Sequence, residues 1–361
     1  MTDLRVILVG LGARSRVWRR VLANDPSSRI VGVVDTDAAN LAAALAELPD
    51  AVGGRALEEV AERVDADAVI LITPPGGREA QIAAACAARL AILAEKPLAD
   101  TFAAAQAHTA RAAAAGVPLS VGLNFRYMPV TRALKALFAD DRLGQPEIGR
   151  FLYERWRDGR QARLNKYPLT MDQPMLWEQS IHHFDLMRFV YGREPVAIAA
   201  RTWNPSWSMY AGDANVAALI SFEGGLEVTY QGTWAANWDH LGFDWRSDCP
   251  GGIAVQRDMF GDLAYARRDD KTLTQVDLPH FETWIDDAAG LWAEFAAHLR
   301  GAGPLPCPAT DHLNSLRMVE ACIRAAATGQ TITLNAPTVA AEPSGAALDT
   351  SNSSPTERMT Q

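Results

Sequence analysis

The chain has 361 residues, 48% apolar and 21% charged, with 34 basic and 43 acidic side chains and a formal charge of -9. That is the balance of a globular chain long enough for two domains. No Lys/Arg-rich block offers a nucleic-acid footprint, and no run reaches the roughly 20 apolar residues of a membrane helix. Cys86, Cys249, Cys307 and Cys322 show neither CxxC pairing nor metal-ligand spacing, so no disulfide framework and no metal site is expected. The opening MTDLRVILVG has no basic n-region and no cleavage site, and a cytoplasmic protein is expected.

Residues 4–9 are a short Val/Ile/Leu run ended by Gly10, the pattern of a strand buried on both faces. Further strands are predicted over 30–34, 68–72, 90–94 and 119–122. Helices alternate with them to about residue 23 and over 38–48, 78–89 and 102–115. This alternation predicts a doubly wound parallel sheet, a Rossmann domain over residues 1–122. Beyond one more helix, 130–138, longer strands follow at 147–156, 196–203, 214–222 and 226–233. Glu223-Gly224-Gly225 is a hairpin signal between the last two. With helices over 284–299 and 311–327, residues 123–335 read as an α+β domain with a large open, mostly antiparallel sheet. Residues 336–361 are rich in Ala, Ser, Thr, Pro and Glu and read as a disordered tail.

Gly10-Leu11-Gly12-Ala13-Arg14-Ser15 joins the first strand to the first helix, a dinucleotide fingerprint with Ser15 in the third glycine's place. Gly10 permits the tight turn, Gly12 the close approach of a pyrophosphate, and the helix amino end supplies amide donors. Asp35 ends the second strand, where a carboxylate accepts hydrogen bonds from ribose hydroxyls and repels a 2′-phosphate. NAD is therefore expected. Asp37 is the better residue to cap the following helix. Arg14 is a cation able to pair with a 2′-phosphate and keeps NADP as the alternative.

Glu95-Lys96-Pro97 ends a buried strand, at the sheet edge where ligands gather. A lysine there can hold a hydroxyl and stabilise an alkoxide; the bland reading is a solvated loop lysine. Gly10-x-Gly12, Thr73-Pro74-Pro75, Glu95-Lys96-Pro97 and Asn124-Phe125-Arg126-Tyr127-x-Pro129 follow in this order. Together they resemble the glucose-fructose oxidoreductase / inositol dehydrogenase / rhizopine catabolism (Gfo/Idh/MocA) family over about residues 4–335. The resemblance implies a sugar, cyclitol or polyol substrate, nicotinamide chemistry and a homodimer or homotetramer.

Residues 178–185 resemble that family's Asp-x-Gly-x-His-x-x-Asp, with Glu178 in place of the first aspartate and Ser180 in place of the glycine. The resemblance implies that His182 is the general acid/base. Glu178 and His182 are i and i+4, one helical face, so a carboxylate is expected to orient the imidazole and favour its protonated form. Asp185, one turn on, is a second candidate for that role. His183 reads as a surface or interface residue.

The expected catalytic set is Lys96, His182, Glu178 and Asp185. Cofactor contacts are expected from Gly10, Gly12, Ala13, Arg14, Ser15, Asp35, Thr73, Pro74, Pro75, Glu95, Lys96 and Asn124. Arg126, Trp156, Arg157, Trp177 and His240 join Lys96, Glu178 and His182 as substrate candidates. For Arg126 a structural pairing with a carboxylate has equal weight, and most tryptophans read as core or interface. The expected activity is NAD(H)-dependent hydride transfer at a hydroxyl-bearing carbon. An NADP-dependent keto-sugar reductase and a non-catalytic dinucleotide- or sugar-binding regulator are the alternatives.

Overall fold

The computed structural model describes residues 3–139, 143–161 and 164–334, and the predicted tail lies outside them. Six strands form the first sheet: β1 (Leu4–Val9), β2 (Ser28–Val34), β3 (Val52–Gly54), β4 (Ala68–Leu71), β5 (Ala91–Ala94) and β6 (Leu119–Val121). All pair in parallel, in the order β3-β2-β1-β4-β5-β6. Every residue of β4 and β5 is buried, because helices cover both faces. Those helices are α1 (Ser15–Ala23), α2 (Ala38–Glu47), α3 (Leu57–Ala61), α4 (Arg78–Ala87) and α5 (Phe102–Ala115). The strand order reverses between β1 and β4, so their carboxyl ends open a crevice for a ligand.

The predicted strands miss β3. A Cβ on Gly53 would stand 2.7 Å from Leu45, and one on Gly54 2.5 Å from Val60. Glycine is demanded there by helices packed close above the strand, and glycine carries no strand signal.

After α6 (Pro129–Ala139) and β7 (Ile148–Glu154), a π turn at Leu176–Ser180 leads into α7 (Ile181–Tyr191). The second sheet continues through β8 (Pro195–Trp203), β9 (Asn215–Phe222), β10 (Glu227–Thr233), β11 (Gly242–Cys249), β12 (Gly252–Asp258), β13 (Gly261–Arg267), β14 (Thr274–Gln275) and β15 (Ile332–Thr333). Its nine strands run β14-β13-β12-β11-β7-β10-β9-β8-β15, antiparallel except between β7 and β10. The β9–β10 turn is the one expected, with Gly224 and Gly225 at φ 70° and 81°. Phe151, Tyr153, Val228, Tyr230 and Trp245 are buried on the inner face. There His183 of α7 bonds Tyr230, and Trp245 Nε1 donates to Tyr191 Oη at 2.7 Å. The outer face leaves Ile148 and Leu219 exposed.

Helices α8 (Asp286–Leu299) and α9 (Ala309–Thr328) come late in sequence but return to the first sheet. Trp292 Nε1 donates to Asp25 at 2.8 Å, and the Val121 amide donates to the Cys307 carbonyl at 2.9 Å. A division at residue 122 thus separates the sequence more cleanly than it separates the packing.

Candidate active site at the carboxyl edge of the parallel sheet

At the β1 end, Gly10 has φ +92° and a Cβ there would lie 3.0 Å from Thr73, so the two strand-end turns meet only through glycine. A Cβ on Gly12 would meet nothing within 4 Å, which leaves bare backbone before α1. Ser15 is fully buried and its hydroxyl donates to the Gly12 carbonyl at 2.7 Å, so it substitutes for glycine without lifting the helix. Asp35 accepts the Leu11 amide at 2.6 Å and the Asp37 amide at 2.8 Å. Asp37 caps α2 by accepting the Ala39 amide at 2.7 Å, as expected. Bare backbone at a helix amino end, with a carboxylate closing the second strand, fits a dinucleotide: diphosphate on the Gly12-Ala13 turn, ribose at Asp35.

One expectation for this end needs correction, that of Glu95 as a cofactor contact. Arg14 Nε donates to Glu95 at 2.6 Å, and the guanidinium lies 5.9 Å from the rings of Trp18 and Trp284. The same Glu95 oxygen accepts Trp18 Nε1 at 2.8 Å. Burial opposes charge on Glu95, but Arg14 overcomes it and holds the carboxyl below its ordinary pKa. A buried carboxylate needs its cation. Glu95 is therefore a buttress under the turn, held by Arg14 Nε and Trp18 rather than turned to a cofactor.

Lys96 Nζ donates to the Glu178 carbonyl at 2.8 Å and stands 3.4 Å from Glu178 Oε2. The other carboxylate oxygen, Oε1, is buried with no partner in good hydrogen-bond geometry, and the Tyr167 phenol is the polar group beside the Glu178 carboxylate. Burial, with the Glu178 carboxylate beside it, keeps the Tyr167 phenol protonated. His182 is 6% exposed and stacks on Phe125, ring centroids 4.0 Å apart and planes 18° apart. Burial, then the Lys96 cation, pushes its pKa well below the ordinary histidine value. The imidazole is neutral at pH 7.

That outcome overturns the expected Glu178–His182 pairing and the protonated ring. The reason is the π turn, whose wider winding departs from the i, i+4 alignment of an α-helix. Glu178 turns to Lys96 instead. Asp185 does not serve His182 either: Arg126 Nε donates to it at 2.7 Å and Ser315 at 3.1 Å. Arg126 also meets Asp311 at 2.5 Å, and Arg188 ties Asp311 to Glu194. Burial works against the Asp311 charge, and Arg126 and Arg188 overcome it, holding the carboxyl at about 2. Arg126 and Asp185 are thus structural, the pairing given equal weight for Arg126.

Other candidates scatter. Asn124 is buried and its amide donates to Asp287 of α8, so it locks a helix rather than facing a cofactor. Thr73 Oγ1 donates to Gln81 at 2.7 Å, and Pro74 and Pro75 complete that turn. Arg157 lies 4.3 Å from the Trp234 ring and reaches Tyr210 Oη at 3.4 Å. Trp177 is buried in the π turn. Trp156 is 37% exposed, paired with Ala235 across a bridge. His240 stacks on Trp238 in a separate hollow of about 370 Å³ with Trp207. Sequence reasoning missed Tyr167, for which a polar loop gives no signal, and the roles of Phe125 and Trp284. Trp284 is half exposed at φ 75°, 5.5 Å from Phe125. Among the described residues no cluster of three His, Cys, Asp or Glu could hold a metal ion, and no helix is long and apolar enough to cross a membrane.

A Rossmann sheet with a glycine turn, joined to an open second sheet whose helix brings a histidine toward a strand-end lysine, defines a nicotinamide-dependent oxidoreductase. The chain belongs to the GFO/IDH/MocA oxidoreductase family. Residues 4–123 match its NAD-binding Rossmann fold and residues 131–247 its C-terminal domain. An uncharacterised protein of Sinorhizobium fredii is 29% identical over 244 residues, 64% of this chain and 66% of that one. D-apiose dehydrogenase of Paraburkholderia graminis is 26% identical over 360 residues, 94% of this chain and 93% of that one. An inositol dehydrogenase homologue from Azotobacter vinelandii, solved with NADH and myo-inositol, superposes with a TM-score of 0.80 at 19% identity, covering 92% of this chain and 98% of that one.

Proposed function

We propose that this protein moves a hydride between C4 of NAD(H) and a hydroxyl-bearing carbon of a sugar, cyclitol or related polyol. The observation that carries the reading is the shared edge of Lys96, anchored on Glu178, and a neutral His182 stacked on Phe125. A dinucleotide held there would supply the hydride acceptor in oxidation and the donor in reduction. Lys96 Nζ holds the substrate oxygen and stabilises the alkoxide that develops there. His182 takes the hydroxyl proton in oxidation and returns it in reduction. The neutral ring that burial enforces is the form able to accept it. Glu178 fixes the lysine, and Gly12, Ala13 and Asp35 hold the dinucleotide. The names of the relatives, D-apiose dehydrogenase and the myo-inositol-bound homologue, support a polyol.

The test is NADH absorbance across a panel of pentoses, hexoses and inositols. Turnover lost in both Lys96→Met and His182→Ala, with NADH affinity retained, is expected. Wild-type-like turnover in both would remove the assignment, and binding without turnover on any polyol would point to a regulator. Comparing dissociation constants for NADH and NADPH tests the expected preference for NAD. The exposed Leu219 and Ile148 on the open sheet face support a homo-oligomer joined there, which light scattering of Leu219→Asp against wild type would check. Four unpaired thiols suit a reducing cytoplasm.

A further inference from the structure

Arg78 opens α4 on its buried stripe with Ile82, Ala85 and Cys86, and only 1% of it is exposed. A charge is out of place on such a stripe. Its Nη1 donates to the carbonyls of Glu95 and Pro97, the latter at 2.7 Å, and lies 3.5 Å from that of Leu98; Nη2 donates to the carbonyl of Thr73. The carbonyls come from two turns, one after β4 and one after β5.

No carboxylate of the described residues pairs with this guanidinium. Its nearest anions are committed, Glu95 to Arg14 and Glu178 to Lys96. Burial pulls the Arg78 pKa down to about 10, so it remains a cation at neutral pH. Burying an ion costs several kcal/mol even where hydrogen bonds replace its water. An apolar residue would fill the stripe without that cost.

What the cation achieves is local. The Glu95 and Pro97 carbonyls flank Lys96, so one planar group grips the lysine's backbone on both sides. The same group grips Thr73, the residue pressed against Gly10 at the mouth of the dinucleotide turn. We propose that Arg78 is a positioning residue for hydride transfer, setting the separation between the Lys96 turn and the Thr73 turn. This rests on the lysine role proposed above. Misplacement by about 1 Å at a reacting centre costs on the order of a hundredfold in rate.

The experiment compares Arg78→Met, Arg78→Lys and Lys96→Met in the full chain, with myo-inositol and D-apiose as probes. Arg78→Met should lower kcat about a hundredfold while KM and the NADH dissociation constant stay within roughly threefold. Arg78→Lys keeps the charge but not the planar fork, and should restore about tenfold of that loss. Amide hydrogen exchange over residues 95–98 should quicken in both, with the rest of the first sheet unchanged. A kcat within threefold of wild type, a loss matched by equally weakened NADH binding, or unchanged exchange at 95–98 overturns the proposal. Should Arg78→Met not fold, Arg78→Lys decides on the same readouts, its kcat expected about tenfold below wild type. If neither probe is turned over by the wild type, exchange at 95–98 and NADH affinity decide. Normal turnover in Lys96→Met would sink the hydride-transfer reading; an inactive Lys96→Met beside unaffected Arg78 variants would sink the positioning role alone.

Discussion

Helix α7 and the turn before it serve two charged regions that differ in how their charges end. At one, Asp185 and Arg188 join Arg126, Asp311, Glu194 and Ser315, and each of these charges has a partner. At the other, Lys96 leans on Glu178, one Glu178 oxygen has only the Tyr167 phenol near its carboxylate, and among the described residues no carboxylate engages His182. The first region has satisfied its electrostatics and holds helices together. The second keeps hydrogen-bonding capacity in reserve, which is what a substrate hydroxyl requires.

The strongest way to break this contrast is to cut each region once. Lys96→Met and His182→Ala should each lower turnover by about 10²–10⁴-fold with NADH affinity nearly unchanged. Asp185→Asn should do the reverse. It leaves Arg126 with Asp311 as its remaining anion and should cost about 1.5–3 kcal/mol in urea unfolding, while the folded fraction turns over within threefold of wild type. An inactive but fully stable Asp185→Asn would return that residue to the chemistry.

Next in size is pH. His182, His183 and His312 are buried neutral, with pKa values pushed down by burial, to about 3 for the last two. Their folded pKa lies below the unfolded one, so below pH 6.5 the unfolded chain binds protons the folded chain refuses. Stability is then full above about 6.5 and falls as pH drops toward 3, by up to roughly 1.4 kcal/mol per unit for each histidine. Urea midpoints at pH 7, 6 and 5 check this, and a flat profile would mean the rings take up protons as readily in the fold as in the unfolded chain. The smallest effect is at the cofactor end. Asp35→Asn should weaken NADH binding by about tenfold, the order of one charge-assisted hydrogen bond, and narrow the gap to NADPH.

Much of the fold was legible because its signals are local. Strands β4 and β5 are unbroken apolar runs, and Gly10 and Gly12 stand where a strand meets a helix. What was missed had a local signal that pointed elsewhere: Val52-Gly53-Gly54 reads as a loop until Leu45 and Val60 close over it. At the site, motif order singled out Lys96 and His182 as candidates, whereas spacing misassigned the neighbours expected to support them. Helical spacing handed Glu178 to His182, and the π turn gave it to Lys96, 82 residues away. Asp185 went to Arg126, 59 residues away. Arg78 did leave a trace, a cation on an otherwise apolar helical stripe.

The sequence by itself determined the alternating strands and helices, the glycine turn that suits a dinucleotide, and the two residues proposed to handle the proton. These depend on backbone periodicity and on which chemistry a side chain carries. Only the tertiary structure decided which charges cancel and which remain available. Desolvation and pairing are set by whatever packs alongside, and here the decisive neighbours lie tens of residues away in sequence.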